Sequence, residues 1–469
     1  MSQTLIEQRP LKRIFPVEQD VIFTVSNNSI VTTFTRVKFV AQVFISSDLP
    51  PNTSVATNLV GTFKTTPNNA GVGMFDFRPV LESFVKVDNL ARKGSSYKTA
   101  SITTDSELPI HLIDKFSGNQ HTIRYLAIKF KVEYEDALGN LVTDFEVDSN
   151  LFQFFNGYLK YTDQLLLQGN NFGFDLDNSF KLDGTTKKFL SNAPTTQYAN
   201  LEDYGTVGLL MNNPFTSSNI TGFDVLEIDY YSSTGVYLGA ETIFPNSASG
   251  GFLYPESDIQ AQLLYVGLFP ANLQGWSSIF QALVSAGTIQ GGYYTIIALD
   301  GNSTVISEEY TIELNCPTLK GFEPIRLTWL NQWGTWDYYT FKMKSTKSIK
   351  TKGSTYQQLE GSWNEATYRL DRFKGGKKSF RVNATEKITM NTDFVNESES
   401  AWFEELINSP EVYILEGFKT DVTNSALNTY VTPVRLTTSS YTKKTIANDK
   451  IMQYTFEVEK TKTLRTQSI

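Results

Sequence analysis

RLTWLNQWGTWDYYTFKMKS runs from Arg326 to Ser345. Three tryptophans and two tyrosines fall between Trp329 and Tyr339, with Asp337 among them and lysines following. Two readings compete for such a run. Aromatic rings beside a carboxylate can line a sugar-binding cleft that holds a catalytic acid. They can equally be a strand, a turn and a strand packed into a core. After Gly334 the residues alternate: Tyr339, Phe341 and Met343 point one way, and Tyr338, Thr340, Lys342 and Lys344 the other. Leu327, Trp329 and Trp333 belong to the preceding strand and its turn. Alternation hides at least half of the rings, and large aromatics are mostly buried. The expectation is a hairpin in a core or at a subunit contact, within a mainly β chain.

The chain around it has 469 residues, which points to about two to four domains. Hydrophobic residues make up 40% and charged residues 19%, enough apolar material for real cores under a rather uncharged surface. Richness in Thr, Ser, Asn, Phe and Tyr suits half-buried strands and polar turns. The net charge of -8 argues against general nucleic-acid binding, which needs a basic field. One cysteine, Cys316, allows no intrachain disulfide and no cysteine-built zinc site. Two histidines, His111 and His121, leave few ready bases or metal ligands. The opening MSQTLIEQRPLKRIF lacks the apolar core of a signal peptide, and runs such as LLYVGLF (Leu263 to Phe269) are too short to span a bilayer. The expectation is a soluble product of the cytoplasm, with no membrane insertion.

Strand signals dominate. Val21 to Ser46 reads as two strands around an Asn-Asn-Ser turn. Thr66 to Phe77 reads as a turn and a short apolar stretch, and Pro79 opens a short helix. Ile128 to Val147, Asp224 to Ile243 and Tyr293 to Leu314 share one plan: strand, polar turn with glycine, strand. These suit hairpins of immunoglobulin-like sandwiches. Trp276 to Gly287 predicts a helix capped by Ser277 or Ser278 and ended by Gly287. Asn396 to about residue 408 predicts an amphipathic helix: Asn396 and Glu399 fit a capping box, and Trp402, Phe403, Leu406 and Ile407 form the buried stripe. The expected fold class is several antiparallel β-sandwich domains with a few short helices. The expected domains are 1–150, 151–318 and 319–469, with Cys316 to Gly321 as a linker.

Motifs for chemistry are scarce. The sequence contains no phosphate-binding glycine loop, nucleophile elbow or HExxH pattern. Asp175 to Gly184 resembles a calcium loop but fails the EF-hand spacing, because Thr186 holds the twelfth position. No metal, cofactor or catalytic residue is therefore expected. A polysaccharide depolymerase would need two carboxylates, and Asp337 is its first suspect. From Phe341 to Arg381 there are eleven Lys or Arg against three acids. This is either a docking face for an acidic partner or a solvated hairpin whose lysines protect edge strands. The candidate interaction surface joins the aromatics Trp333, Trp336 and Tyr338 to Lys342, Lys344 and Lys347. It continues through Lys350, Lys352, Lys377 and Lys378.

RLTWLNQWGTWDYYTF resembles a stretch shared by a group of tailed-phage structural proteins, common in phages of Bacteroidota and related marine bacteria. Lys64 to Val85 (KTTPNNAGVGMFDFRPVLESFV) is similar to the group's Pro-Asn, Gly, Phe-Asp and helix pattern. Trp402 to Leu415 and Val431 to Thr461 follow its closing order of helix and strands. The resemblance implies a virion component of the tail, collar or baseplate, without cofactor, assembling with itself and other virion proteins. Separately, as a fold-level analogy, the C-terminal block of strands with one helix resembles the ring-forming β-domain of tail tubes and distal tail proteins, which would oligomerise around an axis. The alternative is an adhesin that binds host-surface glycan through Trp333, Trp336 or Tyr338.

Overall fold

The computed structural model describes residues 3–47, 58–91, 108–160, 176–211, 222–243, 262–314, 322–371, 373–416, 430–438, 440, 442, 452–462 and 464–465. The chain is mainly β, with several antiparallel or mixed sheets and few short helices, a multidomain β-sandwich protein. It divides into two compact units. One holds residues 1–317 with 330–337 and 417–428, and the other holds 318–329, 338–416 and 429–469. The expected linker, Cys316 to Gly321, lies outside the described residues.

The first unit begins with a sandwich. A three-stranded sheet of Leu5–Gln8, Ile22–Ser26 and Val72–Asp76 faces a six-stranded sheet. The latter is centred on Thr35–Ser46 and Ile123–Glu135. Alternation places Phe23 inward, where its ring meets Phe77, Phe130 and Phe152 at 5.7–5.8 Å. The Asn-Asn-Ser turn expected after Ile22–Ser26 is instead a short helix, Asn28–Thr33. The Asn27 side chain accepts from the Ile30 N–H at 3.3 Å, so the asparagine acts as a helix cap and not as a hairpin turn.

Two further sheets complete this unit, and the four-stranded one draws strands from both sides of residue 150. Phe116–Gly118 pairs with Leu263–Gly267, which pairs with Thr206–Met211. A five-stranded sheet runs in the order Thr196–Ala199, Tyr310–Leu314, Tyr293–Asp300, Phe223–Tyr231, Tyr237–Ile243. Its inner face packs on the helix Ser278–Ser285, with Tyr230, Tyr294 and Phe280 within 6.0 Å of one another. Ser277 is the residue that caps this helix, accepting from the Phe280 N–H at 2.8 Å.

The second unit is built on an eight-stranded sheet. Its path runs through Ile325–Leu330, Val412–Leu415, Val431–Leu436, Thr455–Lys460, Gly376–Asn391 and Thr346–Gln358. The helix Glu397–Asn408 covers it: Trp402 lies 4.9 Å from Trp329, and Phe403 lies 4.9 Å from Tyr339 and 5.6 Å from Phe456. The capping box is complete. The Glu399 N–H donates to the Asn396 side chain at 2.9 Å, and the Asn396 N–H donates to the Glu399 carboxylate at 2.8 Å. Asn396→Ala is expected to cost about 1 kcal/mol of stability, and Asn396→Ser, which keeps an acceptor, only a few tenths. Urea unfolding of both variants checks the difference.

Candidate interaction surfaces

Gln332 to Trp336 form a turn buried in the first unit. A buried turn must satisfy its own polar groups, and Asn331 supplies most of what this one needs. Its carbonyl oxygen accepts from the Trp333 and Thr335 N–H groups, each at 3.0 Å. Its amide nitrogen donates to Asp337 at 3.0 Å. The Thr335 hydroxyl donates to the Leu190 carbonyl at 2.6 Å, and the Ser191 hydroxyl to Asp337 at 2.7 Å. The Trp336 indole N–H donates to the Asp88 carbonyl at 3.0 Å, and its ring meets His111 edge-on at 4.7 Å. Trp333 packs on Phe180 at 4.8 Å. In the second unit the Arg326 guanidinium lies 5.2 Å from the Tyr338 ring centre.

Trp333, Trp336 and Tyr338 are only 2–3% exposed. This corrects their place in the candidate surface: they are interior groups, and the sugar-platform reading loses its named rings. Alternation led one to expect a single hidden face. Both faces are covered, because partners distant in sequence, such as Asp88 and Leu190, close over the turn. Asp337 is a buried acceptor that holds Asn331 and Ser191, not a cleft carboxylate. His111 is likewise interior. In the suspected calcium loop, Leu176–Phe180 forms a helical turn and Asp183 sits 3.7 Å from the Lys187 ammonium. Asp175 lies outside the described residues.

The basic segment is a long two-stranded arm. Thr346–Gln358 and Gly376–Asn391 pair from Thr346↔Thr389 to Gln358↔Gly376. Among the described residues, Gly376–Asn391 has a second neighbour along about half of the ladder, at Lys387 to Asn391 on Thr455–Lys460 and at Asn383 and Ala384, opposite Lys352 and Thr351, on Leu464–Arg465. Thr346–Gln358 is the sheet's edge strand. Its 13 residues span about 40 Å and are exposed over most of that length, while Gly376–Asn391 is mostly half-buried. Lys344, Lys347, Lys350, Lys352 and Lys377 are exposed, and Lys342 and Lys378 are half-buried. Lys347 pairs with Glu323 at 2.8 Å. Register places Lys350 and Lys352 on one side of the ribbon with Arg381 and Lys378, which lie opposite Ser354 and Tyr356. At the tip, Leu359, Trp363, Tyr368, Leu370 and Phe373 are 55–76% exposed, and Phe380, on the strand behind it, is 56% exposed. Within the tip, Trp363 meets Tyr368 at 5.4 Å, and Asp371 lies 3.2 Å from Arg369 and 3.1 Å from Lys374.

A second surface escaped the sequence reading. On the outer face of the five-stranded sheet, one register row crosses every strand: Tyr198, Glu313, Tyr293, Tyr231, Tyr237. Tyr231 stacks on Tyr293 at 4.9 Å and meets Tyr237 edge-on at 5.8 Å. Tyr198 and Tyr237, at the row's ends, are 52% and 56% exposed. Asp229 and Glu227 lie two and four residues before Tyr231 on the same strand and face. Among the described residues, Glu227, Asp229, Glu309 and Glu313 have no ion-pair partner. Desolvation, then the nearby Asp229 and Tyr293, pushes the Tyr231 hydroxyl above its ordinary pKa. Desolvation also raises Asp229. The signal in the sequence was the pair of doublets Tyr230-Tyr231 and Tyr293-Tyr294, in which one ring must face in and the other out.

No protein-family model matches the sequence, and no curated protein matches it. Among solved structures, the native conformation of E. coli alpha-2-macroglobulin is similar over 82% of this chain, at 9% identity and a TM-score of 0.17. The chain spans 22% of that structure's length, and a likeness at this level carries no argument. Among the described residues, no helix is long and apolar enough to cross a membrane.

Gly334 sets a test of the buried turn. Its φ is +74°, and a Cβ there would sit 2.1 Å from the Asn156 carbonyl oxygen. Gly334→Ala is therefore expected to cost more than about 2 kcal/mol, from backbone strain and the clash together. Trp336→Ala is expected to cost about 3–5 kcal/mol as a buried aromatic truncation. Denaturant unfolding measures both. A Trp336→Ala protein of full stability that had lost glycan binding would refute the interior role.

Proposed function

We propose that this chain is a structural subunit of a tailed-phage virion, in the tail, collar or baseplate, which assembles with copies of itself and with other virion proteins. The observation that carries this reading is the arm. An isolated two-stranded ribbon has no core of its own. This one ends in five large apolar side chains, each more than half exposed. Burying one such side chain is worth about 1.5–3 kcal/mol, and a second chain is the natural source of that burial. The resemblance of RLTWLNQWGTWDYYTF and of the flanking stretches to tail-associated proteins points to the same role. The lysines along the edge strand oppose uncontrolled strand addition while leaving the tip available.

The localisation is tested by immunogold electron microscopy with antibody to the full chain. Gold at one discrete place on tailed particles is the expected result. Unlabelled particles beside abundant free protein would overturn the virion reading. The arm is tested separately. Gln358 and Gly376 are register partners, so residues 359–375 can be replaced by an Asn-Gly turn that closes the same ladder. The shortened protein is expected to keep its melting temperature and to enter particles at least about tenfold less efficiently, since clustered aromatics are where interface energy concentrates. Quantitative immunoblotting of purified particles reads the loss.

A further inference from the structure

We infer that the acidic tyrosine row on the five-stranded sheet is the surface on which the basic arm of a second copy docks. This deepens the self-assembling reading above and rests on it. Charge is the first argument. From Phe341 to Arg381 eleven Lys or Arg stand against three acids, a local charge of +8. The whole chain carries -8, so the remainder carries -16. The arm is thus the cationic exception in an acidic molecule, and a second copy always offers an acidic surface.

Shape and spacing narrow the choice of surface. Lys350 and Lys352 repeat every second residue along one side of the ribbon. Glu227, Asp229 and Tyr231 repeat every second residue along the outer face of their strand. Both stripes therefore advance by about 6.8 Å per step, so successive groups on one can meet successive groups on the other. The groups also match in kind. A lysine or arginine gains from a carboxylate and from the face of a phenol ring. The face offers both, with Glu313 between Tyr198 and Tyr293 in the row and Asp229 two residues before Tyr231 along its strand. On both partners the relevant charges are uncommitted: among the described residues, Lys350, Lys352, Lys378 and Arg381 lack an ion-pair partner, as do Asp229 and Glu313. The arm's exposed rings extend the contact with apolar area, which charge alone does not provide.

Complementary charge reversal tests this. One full-length variant carries Lys350→Glu, Lys352→Glu and Lys378→Glu; the other carries Glu227→Lys, Asp229→Lys and Glu313→Lys. Sedimentation velocity across a wide concentration range is expected to show wild-type association that weakens with added salt. Each variant alone should need at least about ten times more protein to associate. An equimolar mixture should recover association, because the acidic arm of one now meets the basic face of the other. Circular dichroism and melting confirm that each variant folds; if the face variant does not, Asp229→Asn with Glu313→Gln serves in its place.

A face variant that associates like wild type, beside an arm variant that does not, would place the arm's acceptor elsewhere and overturn this inference alone. Unchanged association with lost binding to host polysaccharide would make the tyrosine row a glycan site and overturn it too. A wild-type chain that stays monomeric at every concentration would remove the self-assembling reading itself.

Discussion

The buried turn at Asn331 to Asp337 constrains the first unit more than any single strand does. Backbone donors in a protein interior cost free energy unless paired. Here one side chain, Asn331, pairs two of them and is itself anchored by Asp337. The turn also requires Gly334, because the Asn156 carbonyl occupies the space where a side chain would begin. Gly208 allows Thr335 to approach equally closely, since a Cβ there would lie 2.5 Å from the Thr335 methyl group. The sequence NQWGTWD is thus read atom by atom: an amide to satisfy the turn, a glycine to make it, a threonine to tie it to Leu190, and an acid to hold the amide.

How much of this could be read in advance differs by element. The hairpins were legible because each carries its signal locally, as alternation around a glycine. Both longer helices were legible through their caps, Ser277 and Asn396. The Asn27 helix was not, because an Asn-Asn-Ser triplet serves a turn and a cap equally well, and only the register of the following strand decides between them. The fate of Trp333 and Trp336 was half legible. Alternation shows that one face is hidden, but the cover on the other comes from Asp88, Leu190 and Phe180, whose proximity no local pattern encodes. The tyrosine row was illegible for a related reason. Its members are scattered from Tyr198 to Glu313 and become neighbours only through strand order.

The basic segment suggested two readings, edge protection and docking, and the arm's geometry makes them compatible. A lysine on an edge strand blocks the approach of another backbone in the plane of the sheet. The same lysine projects above or below that plane, where it is free to meet side chains. An arm defended along its edge and charged on one face is therefore directed toward recognition by its side chains, not toward open-ended strand addition. The exposed rings at its tip would be a liability on a monomer, and in the docking proposed above the charge beside them would select which surface covers them.

A contact of this kind has a consequence for assembly. Arm and tyrosine row are different surfaces, so a contact between them uses one donor and one acceptor from each pair of copies. The growing chain of copies then keeps one free arm at one end and one free row at the other, and addition would continue until the rotation between successive copies closes a ring. Closure makes the last contact intramolecular in effect, so contacts that are individually weak and salt-sensitive become collectively stable. The strength of one arm on one face therefore need not be high. A modest contact permits a wrongly placed copy to leave before closure, and the closed ring then holds every copy by two contacts where an open chain holds its ends by one.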